Sequence, residues 1–585
     1  MLLSPSNSKS WAPHIQRIIF DEIHSIGQAE DGVVWEQILL LAPCPIIALS
    51  ATVGNPNEFS DWLFETQKSL GFKLVMIEHK MRYSDLRKYF YKPPRAFEFK
   101  GLGEVGEFRI GLDGVEGLEF FHPLVSLVDK SRGIPDDLAL EPRDCLNLWK
   151  AMTKVQNKNY HVPEALNPEK ALPACIQKKD VLVWEKNLKQ ILSEWIKDEF
   201  SPFNQILQIL SQPESLPTTQ PPQEKSPKLI DQLVDPHDLK STTLPLLCQL
   251  HMRNALPAIL FSFDRNQCEE IANATLEKLV QAESKFKKKP EWDKNKIKQH
   301  KKLILLNEKQ KKITAKASKK GRINEDGESR LDRIRDQVED VLLYDFNDSE
   351  TPQDGFTFAN SKNFSKNDLD SYLEELHWNK IGTNFADLLR RGIGVHHSGL
   401  NKKYRETVEI LFRKGFLRVV IATGTLSLGI NMPCVTVVFS GDSLFLNALN
   451  FRQASGRSGR RGFDLLGNVV FQGLPRERAC RLMSSRLPDL IGHFPISTSH
   501  ILRLFILLSG SQNSEYAEKT INSLLSQSRL FLGGHSFKEQ VLHHLRFSIE
   551  YLRRNELLGP YGEPLNFTRF VSHLYFKENS SFAFH

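Results

Sequence analysis

Five short stretches of this sequence carry polar residues where chemistry can happen. Asp21-Glu22-Ile23-His24 closes one apolar run, and Ser50-Ala51-Thr52 closes the next. An acid at a strand end can hold a divalent cation through water. A second acid beside it can orient and deprotonate an attacking water. A capped strand end explains the same Asp and Glu equally well, so these four residues alone decide nothing. Further on lie Gly394-Val395-His396-His397-Ser398-Gly399-Leu400, the run Thr423-Gly424-Thr425-Leu426-Ser427-Leu428-Gly429-Ile430-Asn431-Met432-Pro433, and Gln453-Ala454-Ser455-Gly456-Arg457-Ser458-Gly459-Arg460-Arg461-Gly462. Guanidinium groups match phosphate oxygens as a fork, and the glycines between Arg457 and Arg460 let one tight loop present both. Each stretch alone could be turn chemistry or a basic surface loop. Their joint occurrence, in this order, is not expected by chance.

The elements that must position these residues are legible as apolar, β-branched runs. Ile15 to Phe20, Pro45 to Leu49, Ala258 to Phe263, Leu417 to Ala422 and Val435 to Ser440 read as buried strands. A helical pattern follows Phe263 through Val280. Strands alternating with helices predict an α/β architecture with a parallel sheet, in which chemistry sits at the carboxyl ends of the strands. Every motif above falls there. After Tyr83 the pattern loosens, Glu98 to Gly117 is Gly-rich, and Ser211 to Lys228 is a Pro/Gln/Ser linker. From about Leu482 the chain reads helical. Tyr551 to Phe570 suits a small winged-helix unit.

The motif set resembles superfamily 2 DExD/H-box helicases of the superkiller-like (Ski-like) group. DEIH is similar to motif II, SAT to motif III, PAILFSFDRNQCEEIA to the motif IV region, TGTLSLGINMP to motif V and QASGRSGRRG to motif VI. The block from Arg17 to Leu63 resembles more narrowly the interferon-inducible helicase-sixty subfamily and its sixty-like branch. The likeness covers residues 11–90 and 245–480. It implies RecA-like parallel-sheet motor domains, the first one incomplete, followed by a helical or winged-helix region. The boundaries expected are 1–90 for the first motor domain, 91–245 for an insert and linker, 246–480 for the second motor domain with a Lys-rich insert at 281–380, and 481–585 for the winged-helix region.

The resemblance also implies roles. Asp21 would ligand Mg2+ through water and Glu22 would be the general base of ATP hydrolysis. His24, Ser50 and Thr52 would couple nucleotide state to the nucleic-acid groove. Thr423 and Thr425 would touch the nucleic-acid backbone, and Gly429 and Asn431 would line the nucleotide cleft. Gln453, Arg457 and Arg460 would face the phosphates, one arginine acting as a finger. ATP, Mg2+ and RNA, single- or double-stranded, are the implied cofactors and partner, with DNA left open. The implied setting is antiviral innate immunity in the cytoplasm.

Such a motor needs a Gly-Lys-Ser/Thr loop whose N–H groups and lysine cradle the phosphates. None of the 33 glycines is followed by lysine. The expectation is therefore a part of an ATP-dependent RNA helicase that is inactive alone, or else a non-catalytic RNA-binding or scaffold form.

Composition narrows the remaining classes. Seven scattered cysteines form no CxxC pair, so neither a zinc site nor a disulfide framework is expected, and a reducing compartment fits. No run of eighteen apolar residues predicts a membrane span, and the start has no secretory pattern. The net charge is +7, yet Lys285 to Arg322 holds fifteen lysines and one arginine against Glu291, Asp293 and Glu308, a local charge of +13. The rest of the chain is acidic. The insert is either a solvated excursion or an arm for nucleic-acid phosphates.

Overall fold

A computed structural model describes residues 14–27, 32–40, 42, 44–69, 71–79, 81–106, 111–211, 235, 238–289, 352–364, 366–378, 381–427, 432–490, 492, 497–511, 517–518, 521 and 537–573. The Pro-rich linker, most of the Lys-rich insert, Gly429 and Asn431 lie outside the described residues. The chain divides into two compact units, one of residues 1–80 with 486–585 and one of residues 81–485.

In the first unit, β1 (Ile18–Phe20) pairs in parallel with β2 (Ile46–Ala48), Phe20 opposite Ala48. Two short strands are marginal by themselves, and here helices complete the core. Phe20, Ile23 and Leu39 pack with Phe59, Trp62 and Leu63 of the helix Pro56–Ser69, and with Leu490 and Leu504 from the far end of the chain. Asn55 fastens the two segments: its Oδ1 accepts from Leu490 N at 2.7 Å. The helices Thr498–Gly510, Phe537–Arg554 and Thr568–His573 share a further core of Ile501, Val541, Leu552 and Val571. A bridge between Leu558 and Pro564 closes a turn between the last two helices, which is the helix, turn and short return read from Tyr551 to Phe570.

The second unit is built on a seven-stranded sheet. Along the chain its strands are β3 (Asp85–Tyr91), β4 (Leu118–Phe121), β5 (Ala258–Phe261), β6 (Ile393–His396), β7 (Val419–Ala422), β8 (Thr436–Ser440) and β9 (Leu466–Gln472). Their order across the sheet is β4-β3-β9-β8-β5-β7-β6. All neighbours are parallel except β3 and β4. β5 to β8 are buried along their whole length, as strands covered on both faces should be. The expected mixed α/β fold with a parallel sheet is therefore present. Residues 85–90 fall inside the stretch expected to close the first motor domain, but β3 joins the second sheet, registered against β9. Phe439, Phe451 and Phe471 stack at one side of the sheet, with centroids 5.1 to 6.0 Å apart.

The stretch 122–211, which carries no motif, folds as a helical layer in the same unit. Leu148, Met152, Trp184, Leu188, Leu192 and Phe203 form its core. The helix Pro142–Val155 starts with a capping box between Glu141 and Asp144, and Lys178–Lys197 with one between Gln177 and Asp180. Among the described residues no helix is long and apolar enough to cross a membrane.

Candidate nucleotide and nucleic-acid site

The acid pair follows β1 directly. Leu49 N donates to Phe20 O and Ile23 N donates to Leu49 O, both at 2.9 Å, so the chain ends of β1 and β2 are laced together. This lacing puts His24 beside Ser50, Nδ1 to Oγ 3.0 Å, and His24 within 3.3 Å of the Glu22 carboxylate. His24 is buried, and burial lowers its pKa against the opposing pull of Glu22. A neutral imidazole between the acid and the Ser50 hydroxyl results. Glu22 has φ +54°, a region non-glycine residues rarely occupy. Such strain marks functional sites. Thr52 Oγ1 is buried and has no hydrogen-bond partner among the described residues.

Asp21 is exposed at the tip of β1. Among the described residues no three His, Cys, Asp or Glu side chains converge on a metal position. A single exposed carboxylate such as that of Asp21 is a donor that Mg2+ accepts, because the ion keeps several waters and takes one or two carboxylates plus phosphate oxygens. Asp21 is the residue that would hold it, and the ion would neutralise charge on the phosphates.

In the second unit the motifs cap neighbouring strands. Thr423 follows β7, its N–H donating to His396 O at 3.1 Å and its hydroxyl 3.1 Å from that of Thr425. Thr423 is buried and Thr425 exposed. His396 and His397 follow β6, each with Nε2 on a carboxylate, Glu409 at 3.0 Å and Glu269 at 2.9 Å. The arginine loop leaves the helix Ala448–Ser455, which carries Gln453. Cys434 N donates to Arg457 O, and Gly459 N donates to Cys434 O at 2.7 Å, so the loop is tied to the segment before β8. Gly459 has φ +87°, and a Cβ there would meet Ser84 Cβ at 2.4 Å. Arg460 donates from Nε and Nη2 to the Asp464 carboxylate at 2.8 and 2.9 Å. The pairing raises its already high pKa and leaves the far side of the guanidinium for a second acceptor. Asp21, Glu22, His24, Ser50 and Thr52 thus sit in one unit, and Thr423, Thr425, Gln453, Arg457 and Arg460 in the other.

Sequence reading missed two features. Phe263, Asp264, Arg265, Asp442, Ser443 and Phe445 line a crevice of about 540 Å3 at the ends of β5 and β8. The strand order reverses there, which is where open parallel sheets bind ligands. The pairing order of the sheet was the missing signal. Arg452, beside Gln453, is committed to structure, donating to Asp137 at 2.6 Å and to Met483 O and Ser485 O.

Residues 332–462 match the helicase conserved C-terminal domain, and residues 490–572 match the DDX60-like winged helix domain. A probable ATP-dependent RNA helicase of Homo sapiens, described as DDX60-like, is 31% identical across 100% of this chain and 34% of its own length. This chain belongs to the DDX60-like helicases. An uncharacterized helicase of Caenorhabditis elegans is 32% identical over 97% of this chain and 34% of its own length. Superkiller complex protein 2 of Homo sapiens is 25% identical over 84% and 27% respectively, in keeping with the Ski-like resemblance. The chain spans about a third of the length of the first two relatives.

Proposed function

We propose that this DDX60-like chain supplies the hydrolysis-triggering and coupling parts of an ATP-dependent RNA helicase, acting in the cytoplasm in antiviral defence. The observation that carries the reading is the 3.0 Å contact of His24 with Ser50, which joins the acid pair to the Ser-Ala-Thr turn. Asp21 would hold Mg2+ through water, and Glu22 would orient the attacking water and take its proton. Gln453, Arg457 and Arg460 would bind and orient the phosphates. Thr423 and Thr425, with the hydroxyls of Ser50 and Thr52, would contact the RNA backbone or pass the nucleotide state to it. Gly429 and Asn431 would line the nucleotide cleft.

Within the 585 residues there is no Gly-Lys pair, which favours a second reading of this polypeptide by itself: RNA binding without turnover. Loss of a preorganised phosphate cradle removes the electrostatic contribution that is usually the largest in catalysis. The test is RNA-stimulated ATP hydrolysis by the purified chain, with Glu22→Gln as control. No turnover in either protein is expected. Hydrolysis that Glu22→Gln abolishes would overturn the second reading and support Glu22 as the base.

A further inference from the structure

The arginine loop rests on residues that no motif contains. Arg82 donates from Nη2 to Gly456 O at 2.9 Å and to Ser458 O at 2.7 Å, the carbonyls on either side of Arg457. Ser84 donates from Oγ to Asp464 O at 2.6 Å, the backbone of the residue that grips Arg460. Asp85 N donates to Leu465 O at 3.0 Å and begins the register of β3 on β9. The nearby Asp85 carboxylate pairs with Lys178 at 2.8 Å and its charge also favours the Arg82 cation, while the hydrogen bonds from Arg82 Nη2 go to the loop carbonyls. Arg82 and Ser84 are also among the first residues after the chain leaves the unit that holds Asp21 and Glu22.

We propose that Arg82 is a positioning residue for the phosphate-facing arginines, its guanidinium clamping the backbone on both sides of Arg457 while Ser84 holds the Asp464 end of the same loop. The inference rests on the reading of Gln453, Arg457 and Arg460 as phosphate ligands. A planar guanidinium can serve two divergent carbonyls at fixed geometry, whereas an ammonium is a flexible point charge. Arg82→Lys therefore keeps the charge and loses the geometry, and Arg82→Ala loses both. Because the clamp sits at the exit from the first unit, any displacement of residues 81–85 is delivered to the arginine loop by covalent continuity and these bonds.

The experiment uses the 585-residue chain. Amide hydrogen exchange of residues 457–463 should accelerate about tenfold in Arg82→Ala and by an intermediate factor in Arg82→Lys, with β5, β7 and β8 unchanged. Phenylglyoxal labelling of Arg457 and Arg460, mapped by mass spectrometry, should be slowed by Mg-ATP in the parent chain and not in Arg82→Ala. Unchanged loop exchange, equal acceleration throughout the sheet, or full Mg-ATP protection in Arg82→Ala overturns the clamp. If Mg-ATP protects neither arginine in the parent chain while the exchange effect persists, the phosphate-facing reading fails and the clamp stands.

Discussion

At the scale of single residues, several ionisable groups share one dry place. Lys88, His122, Glu141 and Asp144 are buried together beneath β3. Arg87 donates to both Glu141 oxygens at 2.6 and 2.8 Å. Burial pushes His122 down to about 4 from 6.5 and Asp144 up to about 6 from 3.8. The signs oppose. The neutral His122 accepts from Leu124 N at 3.2 Å and sits 3.1 Å from Asp144 O, so its contribution is present above pH 6.5 and is lost as pH falls toward 4. The buried Asp144 charge destabilises above its folded pKa, and that cost is relieved as pH falls from 6 toward 4. The two slopes cancel over most of this range. Asp144→Asn removes the second, so the variant should lose stability on acidification by up to about 1.4 kcal/mol per pH unit more than the parent. Urea unfolding of residues 122–211, followed by amide exchange from pH 7 to 4.5, measures it, and parallel slopes for the two proteins would refute the cancellation. These residues explain why β3 was illegible: after Tyr83 the apolar pattern loosens into Asp-Leu-Arg-Lys, and sequence alone does not reveal that Glu141 pairs with Arg87.

Elements made of continuous apolar runs were read nearly to their ends. The run from Leu417 became Val419–Ala422, that from Val435 became Thr436–Ser440, and the helix after Phe263 runs on to Lys287. β9 was missed because Leu466–Gln472 follows the arginine loop closely, so the loop chemistry masked a strand signal. The helices of 122–211 announce themselves only by Glu-Pro-Arg-Asp and Gln-Lys-Lys-Asp capping patterns, which are weak without a known core beside them. Of the candidate residues, those at strand ends could be placed from the sequence, while the Arg460–Asp464 pairing depends on loop geometry and could not. Packing between elements gives a further prediction. A Cβ on Gly54 would lie 2.4 Å from Pro488 O and 2.6 Å from Leu487 O, and backbone atoms yield poorly. Gly54→Ala should cost roughly 1–3 kcal/mol, seen as faster amide exchange in the helix Pro56–Ser69. Exchange identical to the parent would mean that residues 487–488 yield without cost.

At the scale of the molecule, the Lys-rich insert is an excursion with adjoining roots. The helix Arg265–Lys287 contains the first lysines, and Lys287 pairs with Glu283 at 2.7 Å. The chain returns where Gln353 N donates to the same Glu283 at 3.1 Å and Phe356 meets Phe286 at 5.3 Å. Excising residues 290–351 should therefore leave the second sheet folded. If the lysines neutralise RNA phosphates, excision flattens the plot of log affinity against log salt by about 0.7 to 0.9 per phosphate lost and weakens different sequences alike. Equal slopes would show that the arm does not touch RNA. The discontinuity of the first unit has a different consequence, which belongs to synthesis. Phe20 and Leu63 share a core with Leu490 and Leu504, so the ribosome must add more than 400 residues after Leu63 before that core can close. At about 5–20 residues per second this interval is roughly 20–85 s. Throughout it, Phe20, Trp62 and Leu63 lack part of their apolar cover, and the nascent chain is a client for whatever shields such surface. Chains stalled before residue 486 should be cut by protease within residues 14–80 well before residues 238–485, and equal resistance in the two segments would show that the early half closes by itself.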